Sequence, residues 1–196
     1  MIVNVVSCIN ISHKLFENQV INLKKFLIVV DIQNDFVDGA LGTGEAVAIV
    51  DNAVNKIKGF DGEIIVTYDT HNQDYLQTSE GKNLPVEHCI KGTQGWELNE
   101  KIANALLDKK YISVEKPTFG SVELPQLILE MADGQDFTVE LIGLCTDICV
   151  VSNALLLKAN FPEKHISVDS ACCAGVTPES HNAALLTMKM CQIDIK

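Results

Sequence analysis

Short apolar runs alternate with helix-period segments along almost the whole chain, and this alternation constrains the fold more than any other feature. The run FLIVV at 26–30 has no polar face, so it reads as a strand buried on both sides. The segment 45–58 (EAVAIVDNAVNKIK) instead spaces its apolar residues for one helical face. The pattern continues with strands at 63–68, 111–114, 137–142, 165–168 and 192–195, and helices at 96–107, 122–131, 147–159 and 180–190. Pro162 cannot continue the helix before it, and Pro178 suits the first turn of the last one. Strands joined by helical crossovers pair in parallel and carry helices on both faces. The expected fold is α/β: three α/β/α layers around a mostly parallel six-stranded sheet. No Pro/Gly/Ser-rich linker divides the chain, so one domain is expected over 25–196, preceded by an N-terminal extension over 1–24.

Composition narrows the function classes. A chain of 196 residues buries roughly 70% of its unfolded surface and needs no disulfide staples. Hydrophobic residues make up 47% and charged residues 21%, which excludes a disordered chain. Fifteen basic against 26 acidic residues give a net charge of −11, which disfavours nucleic acid and anionic membrane as partners. The seven cysteines are odd in number and contain no Cys-x-x-Cys pair. They read as reduced thiols of a cytoplasmic protein rather than a secreted framework. No apolar run approaches the roughly 18 residues of a membrane span. The apolar start, 1–11, lacks the basic flank of a signal peptide, so none is expected.

In a parallel sheet the carboxyl ends of the strands share one edge, where ligands bind. Three chemistry-bearing residues fall there. Asp31 ends the first strand, Lys116 follows the short strand at 111–114, and Cys149 opens the helix after 137–142. A thiol in the first helical turn feels the positive end of the dipole, and a nearby Lys116 would lower its pKa further. Asp31 could then take the thiol proton and return it to a leaving amine. The N–H groups of Cys145 and Cys149 could hold an oxyanion. On spacing alone the same residues also fit a buried thiol, a capping carboxylate and a surface amine.

A long irregular stretch, 69–95, supplies a second constellation: Asp69 and His71 at i and i+2, then Glu80 and His88. Nitrogen and oxygen donors without thiolate suit Zn²⁺, Mn²⁺ or Fe²⁺, and the same residues also fit solvated turn positions. Cys89 reads as packed. Cys172 and Cys173 read as core or turn residues, and His181 falls in the last helix outside the expected site.

These segments resemble the isochorismatase-like cysteine hydrolases, and within them the nicotinamidases. The resemblance rests on D-x-Q-N-D-F at 31–36, D-x-H at 69–71, H-C-x-x-G-T-x-G at 88–95, the Lys116 segment and G-x-x-T-D-x-C-V at 143–150. It implies an Asp31–Lys116–Cys149 triad, with Cys145 and Cys149 as oxyanion donors. It implies a non-proline cis peptide between Leu144 and Cys145 that aims the Cys145 N–H. It implies a divalent metal, zinc first, on Asp69, His71 and His88, with Glu80 at the variable position. Phe36 matches a ring contact. The segment Leu84-Pro-Val-Glu87 departs from the nicotinamidases: it has no aromatic before His88 and one extra residue. The implied activity is hydrolysis of a small cyclic or aromatic carboxamide, nicotinamide first, through a thioester. A carbamoyl or ureido substrate is the related alternative, and a catalytically silent binding protein the more distant one. The family also implies a homo-oligomer.

Overall fold

The computed structural model describes residues 23–196. Nearly all of the expected extension, with Cys8, lies outside the described residues. Lys24 already belongs to the first strand, one residue earlier than the expected boundary at 25.

Six strands form one sheet in the order β3-β2-β1-β4-β5-β6, with every neighbouring pair parallel. They are β1 (Lys24–Val30), β2 (Glu63–Asp69), β3 (Tyr111–Lys116), β4 (Phe137–Leu144), β5 (His165–Ala174) and β6 (Asp194–Ile195). The helices are α1 (Asn34–Val37), α2 (Gly44–Gly59), α3 (Ser79–Asn83), α4 (Glu100–Leu106), α5 (Leu124–Ala132), α6 (Val151–Asn160) and α7 (Pro178–Met190). Strand order reverses between β1 and β4. A crevice opens at such a switch point, outside the carboxyl ends of the strands. Asp31 leaves β1 at that end, and Cys145 to Cys149 leave β4 beside it.

Alternating side chains of β1 divide between two cores. Phe26, Ile28 and Val30 pack with α5, α6 and α7, while Leu27 and Val29 pack with α2 and α4. Burial on both faces explains why β1 has no polar alternation. The last helix begins on a capping box between Thr177 and Ser180, with Pro178 in its first turn. No helix among the described residues is long and apolar enough to cross a membrane.

Several expected boundaries move. The helix expected over 96–107 starts only at Glu100, where Asn99 caps it. Trp96 instead lies against Tyr68 and donates its indole N–H to Thr70 Oγ1 at 2.9 Å. The helix expected over 147–159 is preceded by a wide π-type turn, Thr146–Val150, and becomes regular only at Val151. The strand expected over 165–168 runs on to Ala174, so Cys172 and Cys173 are buried strand residues. The stretch 69–95 is only partly irregular, because it holds a 3₁₀ turn at Tyr75–Gln77 and α3.

Gly143 lets β4 and β1 close up at the switch point. It sits at φ +123°, and a Cβ there would stand 2.0 Å from the Val30 carbonyl oxygen. Gly134 also has positive φ, at +74°, but open space around it. Gly143→Ala should therefore lower unfolding free energy by about 3 kcal/mol or more, combining backbone strain with a core clash. Gly134→Ala should cost only about 1–2 kcal/mol. Urea unfolding of the two variants checks the difference.

Candidate active site

The motif after β1 ties the elements of the site together. Gln33, fully buried, accepts the Asp69 N–H on Oε1 at 2.8 Å and donates from Nε2 to the Asp69 carbonyl at 2.9 Å and the Trp96 carbonyl at 2.7 Å. Asp35 accepts the Cys89 N–H at 2.7 Å and the Ala40 N–H at 3.2 Å. Gly95 makes room for that carboxylate, since a Cβ there would meet Asp35 Oδ2 at 2.1 Å. The His71 N–H donates to the Cys89 carbonyl at 3.0 Å, and the Lys91 N–H to the His71 carbonyl at 2.9 Å. Two motifs far apart in sequence are thus fixed to one strand end. Sequence reasoning quoted Gln33 and Asp35 inside a motif but gave them no task.

Asp31, Lys116 and Cys149 meet at the switch point. The exposures are 0%, 1% and 4%, so all three are buried, with Cys149 lining a cavity. Lys116 Nζ lies 2.7 Å from Asp31 Oδ2, 3.3 Å from Asp69 Oδ1 and 3.5 Å from Cys149 Sγ, and donates to the Thr118 carbonyl at 3.0 Å. The buried Thr67 hydroxyl donates to Asp31 Oδ1 at 2.6 Å. Asp31 has φ +47°, a left-handed conformation uncommon for a non-glycine residue. The Leu144–Cys145 peptide is cis. The Cys145 carbonyl accepts the N–H groups of Ile148 at 3.1 Å and Val150 at 3.0 Å, which closes the turn that carries Cys149.

Electrostatics correct one expectation. Burial pushes the Cys149 thiol well above its ordinary value, and the Asp31 carboxylate pushes it the same way. Lys116 opposes this, but its charge is shared with two carboxylates. Helix-end and lysine stabilisation of a resting thiolate are therefore outweighed by desolvation. Burial also raises Asp31 above the usual carboxylate range, against the pull of Lys116. Burial acts to lower Lys116, yet the Asp31 and Asp69 carboxylates hold it firmly charged. Burial therefore favours the thiol form of Cys149, while the carboxylates beside Lys116 favour its ammonium form.

The second constellation also comes together. Asp69, His71, Glu80 and His88 each offer one ligand atom, and these atoms lie within 4.8 Å of one another. His71 Nε2 is 3.0 Å from Asp69 Oδ2 and 3.7 Å from Glu80 Oε1, and His88 Nε2 is 3.6 and 3.7 Å from the same oxygens. His88 Nδ1 lies 2.8 Å from the Val86 carbonyl. That contact favours the tautomer whose Nε2 lone pair faces the cluster. His71 Nε2 is buried without a hydrogen-bond partner. An orphaned ring nitrogen beside two carboxylates fits a divalent cation. Burial works against Asp69 ionising, but the His71 and His88 rings close beside it and the Lys116 charge hold it well below the usual carboxylate range. Cys89, fully buried in the core beneath, is not part of the cluster.

One cavity of about 770 Å³ joins the two constellations. Cys149, Cys145 and Ile148 line it on one side and Asp69, His71, Glu80 and His88 on another, with Phe36, Leu41, Leu84 and Phe119 among its apolar lining. Leu84 occupies the segment where no aromatic was found. Phe119 was missed, although it lies three residues after Lys116 in a quoted segment. His181 does not line this cavity; its Nδ1 lies 2.8 Å from the hydroxyl of fully buried Thr146, next to Cys145.

The model of the Isochorismatase domain matches residues 25–195. An isochorismatase family protein named PncA, from Bacillus subtilis, is 32% identical over 143 residues, covering 68% of this chain and 78% of its own length. The crystal structure of nicotinamidase/pyrazinamidase PncA from Bacillus subtilis superposes with a TM-score of 0.76 at 28% identity, over 88% of this chain and 99% of that one. A pyrazinamidase of Pyrococcus horikoshii, solved in complex with zinc, gives 0.73 at 25% identity, over 88% and 98%. With a family match over nearly the whole described chain, and the sheet order and switch-point site to go with it, this chain belongs to the isochorismatase family.

Proposed function

We propose that the chain is a cysteine amidohydrolase that cleaves a small cyclic or aromatic carboxamide, with nicotinamide to nicotinate and ammonia as its reaction. The observation that carries this reading is the single cavity lined by both Cys149 and the four-residue ligand cluster, with Asp31 and Lys116 behind the thiol. Similarity to nicotinamidase and pyrazinamidase structures supports the same substrate class. Phe36 and Phe119 offer flat apolar surface to a planar ring. A neutral amide suits a cavity whose lining carries Asp69, Glu80 and Asp147.

The resting thiol becomes a nucleophile only when its proton leaves. As Cys149 Sγ attacks the carboxamide carbon, Asp31 takes that proton, and its raised pKa makes it a competent acceptor. The Cys145 and Cys149 N–H groups face the developing oxyanion. As the C–N bond breaks, Asp31 passes its proton to the departing amino group, which leaves as ammonia, and a thioester remains on Cys149. Asp31, again a carboxylate, draws a proton from water as that water attacks the thioester carbon; the C–S bond breaks, Asp31 returns the proton to the departing Cys149 sulfur, and the acid is released. Lys116 stays charged throughout, so Asp31 cycles between its two forms beside a fixed cation.

Asp69, His71, Glu80 and His88 would hold a divalent ion, zinc, manganese or iron by their donor types. When bound, such an ion offers a Lewis-acidic point for a ring nitrogen or a water, which orients the substrate at the far end of the cavity.

Cys149→Ala should lower ammonia release from nicotinamide more than about a thousandfold, because no other group replaces the nucleophile. A coupled ammonia assay over a panel of nicotinamide, pyrazinamide and ureido compounds checks both the residue and the substrate class. Full turnover by the variant contradicts the mechanism, and release from the ureido compounds alone contradicts the carboxamide assignment. Chelator dialysis should lower activity at least about tenfold, with recovery on adding one of the three metals. Glu80→Gln should weaken metal retention by roughly 10–100-fold, read by elemental analysis after dialysis. An unchanged metal content would remove Glu80 from the ligand set.

A further inference from the structure

Phe119 poses a packing problem. It lines the cavity, yet it is 42% exposed, so its own contacts hold it weakly. Its backbone is held instead. Asn153, one helical turn beyond Cys149 and fully buried, accepts the Ser121 N–H on Oδ1 at 2.9 Å. Its Nδ2 donates to the Phe119 carbonyl at 3.2 Å and to the Cys149 carbonyl at 2.8 Å. One amide thereby uses both donors and one acceptor on three backbone groups. At the other end of the same loop, Lys116 Nζ donates to the Thr118 carbonyl at 3.0 Å. Gly120 passes close to α6 between these anchors, where an added Cβ would stand 3.5 Å from Ser152 Cβ.

We propose that Asn153 is a positioning residue that fastens the 117–121 loop to the nucleophile turn and so fixes the Phe119 wall relative to Cys149. It touches no reacting atom. It acts through Phe119, and its loss shows first in how well the substrate ring is held. A leucine or alanine there would leave the Ser121 N–H and the Phe119 carbonyl without their buried partner. The role rests on the amidohydrolase reading, but the anchor itself does not.

Two variants test it in the full chain. Asn153→Thr keeps a hydroxyl able to bond back to the Cys149 carbonyl four residues earlier, and loses the reach to the loop. Asn153→Ala loses all three bonds. Asn153→Thr should raise KM for nicotinamide roughly five- to tenfold with kcat changed less than about twofold, and add under about twofold in a Phe119→Ala background. A general structural role would instead lower kcat, or give the same KM increase in both backgrounds, and either result overturns the proposal. Amide exchange at Ser121, followed by NMR, reads the anchor without any substrate. Its protection should fall at least about tenfold in both Asn153 variants, since that N–H has no other hydrogen-bond partner among the described residues. Unchanged protection also overturns the proposal. If wild-type protein releases no ammonia from any amide while Ser121 protection still depends on Asn153, the functional reading fails and the anchor stands. In that case the role assigned to Phe119 falls with the function.

Discussion

The site is organised around one buried cation. Lys116 Nζ stands between Asp31 and Asp69, with Cys149 Sγ also within reach. Removing it would leave two buried carboxylates facing each other in a low-dielectric interior, an arrangement that costs several kcal/mol or forces protonation. The same cation therefore serves both constellations. Through Asp31 it belongs to the acid–base pair, and through Asp69 it belongs to the ligand cluster. Neither half has an independent electrostatic balance.

That arrangement is affordable only where the backbone is fixed on every side. Parallel pairing of β3 with β2 and of β2 with β1 sets Lys116, Asp69 and Asp31 at one edge. Gly143 permits β4 to approach β1 closely enough to bring the nucleophile turn alongside. Gln33 and Asp35 then pin the long segment after β2 back onto β1. The chemistry-bearing residues sit on strand ends and short anchored turns, where small displacements are resisted.

The sequence made much of this legible. Periodicity revealed the strands, and strand ends singled out Asp31, Lys116 and Cys149. Donor types singled out Asp69, His71, Glu80 and His88, which the fold gathers within one cluster. What stayed hidden depends on distance through space. The π-type turn before α6 follows no hydrophobic period, so it read as ordinary helix. Asn153 and Gln33 look like generic polar residues until their backbone partners are known. Phe119 drew no reading at all, because nothing in its neighbours reports the cavity. The thiol's electrostatics were misread for the same reason: dipole and lysine are visible in sequence, and complete burial beside Asp31 is not.

The central claim is that Cys149 rests as a thiol and is ionised on demand by Asp31. The pH dependence of Cys149 alkylation, resolved by peptide mass spectrometry in wild-type protein and in Asp31→Asn, tests it directly. Burial and the Asp31 carboxylate both raise the thiol pKa above its ordinary 9.0. The wild-type rate should therefore keep rising through and beyond that pH, and the Asp31→Asn curve should move to lower pH as the opposing charge is removed. A wild-type rate already at its plateau at neutral pH would show a preformed thiolate and contradict the account.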